Sequence, residues 1–134
     1  MRPPVSRFLT WAFGMLLAAA PVMAHHAFTA EFDAKKPVTI RGFVTKVEWT
    51  NPHAWFYIDV ADDTGKVTKW ALELGGPNTL IRAGWTKNSM KVGDIVTVEG
   101  SRAKDGSPVA NSQVVTLKST GQRLFAASSR GQQQ

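Results

Sequence analysis

Five runs of alternating apolar residues, interrupted once by a helical segment, constrain the fold of this chain more than any other feature. The runs begin near Pro37, Ala54, Lys66, Asp94 and Val109. Alternation with a period of two is typical of strands that bury one face. Residues that favour turns separate the runs, among them Asn51-Pro52 and Asp62-Asp63-Thr64-Gly65. The sequence therefore predicts a small, strand-rich domain.

The first run changes its phase at Gly42. Val38 and Ile40 share one side of the strand before the glycine, and Phe43, Val47 and Trp49 share a side after it. A glycine at such a change predicts a bulge or a sharp bend in one long strand.

A short helix is predicted between the third and fourth strands. Gly75-Gly76-Pro77-Asn78 breaks the strand pattern, Asn78 or Thr79 supplies a cap, and Gly84 ends the segment. This order of elements predicts an all-β fold, a five-stranded OB-like Greek-key barrel with one short helix between strands 3 and 4. A simple antiparallel meander, or a fragment of the lipocalin type, is the alternative.

The N-terminus has the three parts of a secretory signal. Arg2 and Arg7 precede a 13-residue apolar run, residues 8–20, and Val22-Met23-Ala24 supplies a cleavage site. A membrane span needs about 20 apolar residues, so the run is too short to anchor the chain. We expect residues 1–24 to be removed, and the mature protein to be periplasmic with no membrane span.

The remaining chain has the length of one domain. Residues 25–118 are predicted to form the barrel with an N-terminal arm. Residues 119–134 have few apolar side chains and are expected to be a mobile tail. A monomer is expected.

Composition excludes several functions. The chain has no cysteine, which excludes thiol catalysis, iron–sulfur clusters and cysteine-ligated zinc. The mature segment carries 14 basic and 10 acidic residues, and its lysines are scattered rather than clustered. A nucleic-acid partner is therefore not expected. No nucleophile elbow, phosphate loop or dinucleotide motif occurs, so no catalytic residue is assigned.

All three histidines of the mature chain are candidate metal ligands. Cleavage after Ala24 makes His25 the N-terminal residue, whose amine and imidazole can chelate Cu(II). His53, in the turn after the first strand, can complete a three-nitrogen set, with His26 in reserve. Cleavage one residue earlier would place His26 third, another pattern that binds Cu(II). The alternative is that His25 and His26 belong to a flexible polar N-terminus and that His53 is an ordinary turn residue hydrogen-bonded to the backbone.

Two further groups of side chains are of interest. Glu48 and Glu73 can converge near His53 and orient its ring. A second hypothesis is a ligand face formed by Asn51, Trp55, Tyr57 and Lys104, where an OB-like barrel binds its ligands. The alternative is that most tryptophans lie in the core.

Several motifs together resemble a known family. They are His-His-Ala-Phe at residues 25–28, the stretch 42–54 with its Thr-Asn-Pro-His turn, Gly-Gly-Pro-Asn at 75–78, and residues 92–100. The set is similar to small exported proteobacterial proteins that are catalogued as a domain of unknown function. The resemblance implies a periplasmic location and a small β-barrel, and it carries no established activity.

Three functional hypotheses follow. The first is a periplasmic binding or accessory protein that holds Cu(II) through His25 and His53. The second is a metal-free module that binds a small molecule or a protein, using the turns around residues 51–55 and 104–108. The third is a copper-dependent oxidoreductase, which ranks last because no sequence feature identifies a substrate surface.

Overall fold

The first strand joins the two halves of the sheet. In a computed structural model that describes residues 30–126, β1 (Phe32–Glu48) pairs antiparallel with β4 (Ile95–Ala103) and with β2 (Trp55–Ala61). Phe43 is opposite Ile95 on one side and Asp59 on the other. β1 therefore changes partners at this point, as a long bent strand must in order to serve both halves.

Gly42 lies where the backbones of β1 and β2 come together. A Cβ atom at this position would overlap the backbone carbonyl of Asp59. The irregularity in pairing falls between Val44 and Lys46, two residues after the glycine. The predicted irregularity in β1 is therefore present, but it lies two residues after Gly42. Gly42 itself is needed because the β2 backbone leaves no room for a Cβ atom.

The remaining strands complete a ring. β3 (Val67–Glu73) pairs antiparallel with β2, and β5 (Val109–Leu117) pairs antiparallel with β4. β3 and β5 then meet in a short parallel pairing that joins Ala71 to Val109 and Glu73 to Asn111. The sheet order is β3-β2-β1-β4-β5-β6, where β6 is the short strand Arg123–Phe125, and the β3–β5 contact closes the five longer strands into a ring.

The short helix lies between β3 and β4, as predicted. This helix, α1 (Pro77–Arg82), begins after Gly76, with Pro77 in its first turn. Proline suits this position because its missing N–H would have no intrahelical partner. The predicted caps, Asn78 and Thr79, lie inside the helix instead. Leu80 is buried and fastens α1 to the core.

The core occupies the inside of the ring. Alternate residues of every long strand contribute to it, and Trp70 and Trp85 are buried with them. The largest fully buried apolar side chains are Val44, Phe56, Ile58, Leu72, Leu74, Leu80, Val96, Val98 and Val115. Among residues 30–126, no helix is both long and apolar enough to cross a bilayer.

The prediction of five strands and a mobile tail from Ser119 was wrong in part. A sixth strand, β6 (Arg123–Phe125), pairs with β5. Leu124 is buried, and the Trp85 indole N–H donates to the Phe125 carbonyl at 2.8 Å. Three residues were too few to show a strand pattern, yet the segment is also held by the buried Ala126, whose backbone hydrogen-bonds to Gly75 and Gln113. The expected mobility of residues 127–134 lies outside the described residues.

Replacing the buried leucine of β6 tests this packing. Leu124→Ala removes a side chain that is 4% exposed, and we expect a loss of about 2–5 kcal/mol in the free energy of unfolding. Phe125→Ala is the matched control, because that neighbouring side chain is 66% exposed. Urea denaturation measures both. Equal small effects for the two variants would mean that β6 does not contribute to the core.

Candidate functional site

The loop between β1 and β2 holds His53 against the end of β3. Ala54 is fully buried, its N–H donates to the Gly75 carbonyl at 3.0 Å, and its carbonyl accepts from the Leu74 N–H at 2.9 Å. The Thr50 hydroxyl donates to the carbonyl of His53 at 3.0 Å. These backbone bonds fix the loop, so the position of His53 is determined by the fold.

His53 contacts a buried carboxylate. Its Nδ1 lies 2.9 Å from Oε1 of Glu73, the last residue of β3. The His53 side chain is 44% exposed, whereas that of Glu73 is 9% exposed. Within residues 30–126, no hydrogen bond or ion pair engages the Nε2 atom of His53. The carboxylate thus orients the ring and leaves the second nitrogen available.

Asn111 completes the buried polar group. The parallel pairing of β3 with β5 places it opposite Glu73, and its Nδ2 donates a long hydrogen bond of 3.5 Å to Glu73 Oε1. Asn111 is 1% exposed. Its Oδ1 is buried and has no hydrogen-bond partner in the described part of the chain. A buried hydrogen-bond acceptor without a partner costs free energy of folding, so packing alone does not explain an asparagine at this position.

The electrostatics of Glu73 reflect its surroundings. The pKa of its carboxyl is raised from an ordinary value of 4.5 to about 7, first by burial and second by the charge of Glu31. The hydrogen bond from Asn111 acts in the opposite direction. The charge of Glu31 therefore acts on Glu73, and a cation would stabilise the charged form of Glu73.

The start of β1 brings Glu31 to this region. The Lys104 N–H donates to the Glu31 carbonyl at 2.9 Å. Phe32 packs on Ala103 and Val109 in a small apolar cluster that is separate from the main core. A depression of about 360 Å³ lies beside this cluster, with Glu31 and Lys104 among its lining residues.

Glu48 does not take part, although the sequence placed it beside Glu73. Its carboxylate instead accepts from the Tyr57 hydroxyl at 3.0 Å and pairs with Lys46 at 2.5 Å. The Lys46 ammonium lies 5.5 Å from the centre of the Tyr57 ring. Hydrogen bonding to Lys46, and then to Tyr57, lowers the pKa of Glu48. Lys46, Glu48 and Tyr57 thus form a separate cluster on β1 and β2 that does not include His53.

The four ligand-face residues differ in their exposure. Trp55 and Tyr57 are half-buried, Asn51 is exposed in the loop, and Lys104 is exposed at the rim of the depression. The peptide bond between Asn51 and Pro52 is cis. Tyr57 offers a limited stacking surface, since Lys46 lies over its ring.

The N-terminal candidates, His25 and His26, lie outside the described residues. Among residues 30–126, no three histidine, aspartate or glutamate side chains form a group that could hold a metal ion. His53 is therefore the one sequence-predicted ligand that the structure describes. Asn111 and Glu31 were not predicted as site residues. The sequence around a polar residue does not indicate which distant strand will lie beside it.

Comparison with known proteins places the chain in a family. Residues 14–112 match DUF6152, a family of unknown function. The chain belongs to this family. No curated protein matches the chain. Among solved structures, the chain is similar to the S. cerevisiae mitochondrial single-stranded DNA-binding protein Rim1, at 12% identity and a TM-score of 0.49, over 62% of this chain and 93% of Rim1.

The raised pKa of Glu73 predicts a pH-dependent stability. The folded chain holds this proton more tightly than the unfolded chain does, so the stability it contributes is fully present below pH 4.5 and is lost as the pH rises through about 7. We expect the free energy of unfolding of the metal-free protein to fall over that interval. Glu73→Gln should lose this part of the dependence, as measured by urea denaturation at a series of pH values.

Glu99→Gln is the control for this measurement. Glu99 lies on β4 and pairs with Arg123 at the surface, with no contact to His53. This variant should keep the slope of the natural protein between pH 4.5 and about 7. Equal slopes for the natural protein and Glu73→Gln would contradict the assignment of the proton to this site.

Proposed function

We propose that this protein is an exported binding or accessory protein that holds a divalent transition-metal ion, in the first place Cu(II), between His53 and the histidines of its mature N-terminus. The observation that carries the proposal is the contact between His53 Nδ1 and the buried Glu73 carboxylate at 2.9 Å. In histidines that bind metals, the N–H of the other ring nitrogen commonly donates a hydrogen bond to a carboxylate. This bond fixes the tautomer and raises the basicity of the nitrogen that binds the metal.

The donor set fits Cu(II) better than other ions. Imidazole and amine nitrogens suit Cu(II), which heads the affinity order of the divalent first-row metals. A closed structural zinc site needs four protein ligands, and the chain has no cysteine to supply them. The Glu73 carboxylate contacts the imidazole, and a bound cation would stabilise its charged form against the burial that raises its pKa.

Chain length supports a contribution from the N-terminus. His25 is five residues before Ala30, which lies at the rim of the depression beside Glu31. Five residues span at most about 17 Å when extended. Glu31 acts electrostatically on Glu73, which contacts His53, and this supports the proposal that the preceding histidines contribute to the site.

Export is part of the same proposal. A signal peptide at residues 1–24 with cleavage after Ala24 would deliver the protein to the periplasm and make His25 the free N-terminus. We also propose that the closed ring is an OB-like barrel. Its support is the order of three strands, a helix and two strands, together with a first strand that serves both halves.

The other two hypotheses have less support. A metal-free ligand module would use Trp55 and Tyr57 as a platform, but both are half-buried and Lys46 lies over the Tyr57 ring. A copper oxidoreductase would need a substrate surface beside the metal, and no described group identifies one. We therefore propose binding without catalysis.

Titration of the exported protein with Cu(II) tests the proposal. Intact mass spectrometry should first give an N-terminus at His25. Calorimetry should then show one-to-one, sub-micromolar binding. His53→Ala should weaken binding by at least about tenfold, and Glu73→Gln by about 10- to 100-fold, as expected for a group that orients a metal ligand.

Glu48→Gln is the matched control, because that carboxylate is at the end of β1 and pairs with Lys46 instead of His53. Its affinity for Cu(II) should equal that of the natural protein. Binding no tighter than that of a surface histidine would overturn the proposal. Tight binding that is unchanged in His53→Ala would assign the ion to the N-terminus alone.

A further inference from the structure

We propose that residues 123–126, called the strap, position His53 by holding Gly75, the residue to which the His53 loop is hydrogen-bonded. The strap consists of β6 and Ala126, and it is distant from His53 in the sequence. The inference goes beyond the proposed function, because it concerns the contact between His53 and Glu73 and applies whether or not a metal binds. The strap acts through Gly75 in this proposal.

The strap lies where β3 and β5 separate. The last pair between these strands is Glu73 opposite Asn111. If the same register continued, Gly75 would lie opposite Gln113. Ala126 lies between them instead: its N–H donates to the Gln113 carbonyl at 2.9 Å, and its carbonyl accepts from the Gly75 N–H at 2.8 Å. Ala126 therefore spans the gap that opens between the two strands.

Gly75 links the strap to the loop that carries His53. Its N–H donates to Ala126, and its carbonyl accepts from the Ala54 N–H at 3.0 Å. Ala54 directly follows His53 and is fully buried. A displacement of Gly75 would therefore reach His53 through one hydrogen bond and one peptide unit.

The residue after Gly75 contacts the same loop. A Cβ atom at Gly76 would lie 2.9 Å from the carbonyl oxygen of Pro52, which is closer than Cβ atoms normally approach backbone. Gly76 thus packs directly on the residue before His53. The two glycines contact the loop on both sides of His53, so the loop should move with them.

The docking of the strap depends on few contacts. The Leu124 side chain is 4% exposed and belongs to the main core. The Trp85 indole N–H donates to the Phe125 carbonyl at 2.8 Å. Because β6 is only three residues long, loss of the Leu124 side chain should weaken docking without altering Gly75 or His53.

The tautomer of the His53 ring reports on this coupling. Nδ1 lies 2.9 Å from Oε1 of Glu73, so the proton of the neutral ring belongs on Nδ1. A hydrogen bond to a charged acceptor favours this tautomer by about tenfold or more. An imidazole free in water carries the proton mainly on Nε2. Loosening of the loop should therefore move the proton from Nδ1 toward Nε2.

The Leu74 N–H sets a limit to this effect. It donates to the Ala54 carbonyl at 2.9 Å, and Leu74 is fully buried in the core. This bond does not involve the strap. Loss of the strap should therefore loosen the His53 loop while the remaining protein stays folded.

Nitrogen-15 NMR of the full-length protein at mildly alkaline pH measures the two tautomers. The form with the proton on Nδ1 should dominate in the natural protein, and Leu124→Ala should shift the ring toward the form with the proton on Nε2. Val98→Ala is the control for lost stability, because this fully buried side chain lies on β4, away from the strap. It should leave the tautomer ratio unchanged.

A reversible disulfide tests whether docking of the strap is the cause. Val114 and Phe125 are opposite each other in the antiparallel pairing of β5 and β6, at a separation that a disulfide can bridge. The chain has no cysteine, so Val114→Cys and Phe125→Cys have no competing thiol. Added to Leu124→Ala, the oxidised pair should restore the natural tautomer ratio, and reduction should abolish the restoration.

The outcomes separate this inference from the proposed function. An unchanged ratio in folded Leu124→Ala, an equal shift in Val98→Ala, or a shift that the disulfide does not reverse would overturn the role of the strap. If Leu124→Ala does not fold, the milder Leu124→Val replaces it in both experiments. A natural protein that fails to bind Cu(II) but shows these tautomer changes would overturn the proposed function alone.

Discussion

The structure depends on the short parallel pairing between β3 and β5. Only three residue pairs form it, yet it closes the five longer strands of a sheet whose other neighbours are all antiparallel. Leu72 and Ala110 face the core through this pairing, and Glu73 and Asn111 are buried on the other face of the sheet. Closure satisfies backbone groups that would otherwise remain at open edges. The same three pairs therefore complete the core and assemble the polar group beside His53.

The local part of this architecture was accessible from the sequence, because each strand displays its buried face through alternation. The break in the strand pattern at Gly75-Gly76 predicted the helix at Pro77–Arg82, and the change of phase at Gly42 predicted the irregularity in β1. The β3–β5 pairing was not predicted, since it joins residues about 38 positions apart that are not connected by a short turn. Asn111 became a site residue through that pairing alone. Similarly, β6 depends on one buried leucine, Leu124, which no periodic pattern could reveal.

His53 and Glu73 differ in how well the sequence indicated them. His53 stood out because it is one of three histidines, and it lies in a turn. Glu73 was one of two strand carboxylates considered as its partner, and the structure selects it over Glu48. The reason is geometric: the Ala54 N–H donates to the Gly75 carbonyl and the Leu74 N–H donates to the Ala54 carbonyl, so the loop after β1 is held against the end of β3. Glu48 is held by Lys46 and Tyr57 instead.

The charge of the whole chain and the charge of the site have opposite signs, and distance decides which one a bound cation experiences. The sequence carries a formal net charge of +6, with lysines scattered along it. Exposed charges are largely screened beyond about 8 Å at physiological ionic strength, whereas buried groups are screened much less. Glu73 is 7% exposed and lies within the influence of Glu31. An ion at Nε2 of His53 would therefore respond first to the buried carboxylate of Glu73, so a basic protein can still present a local site for a cation.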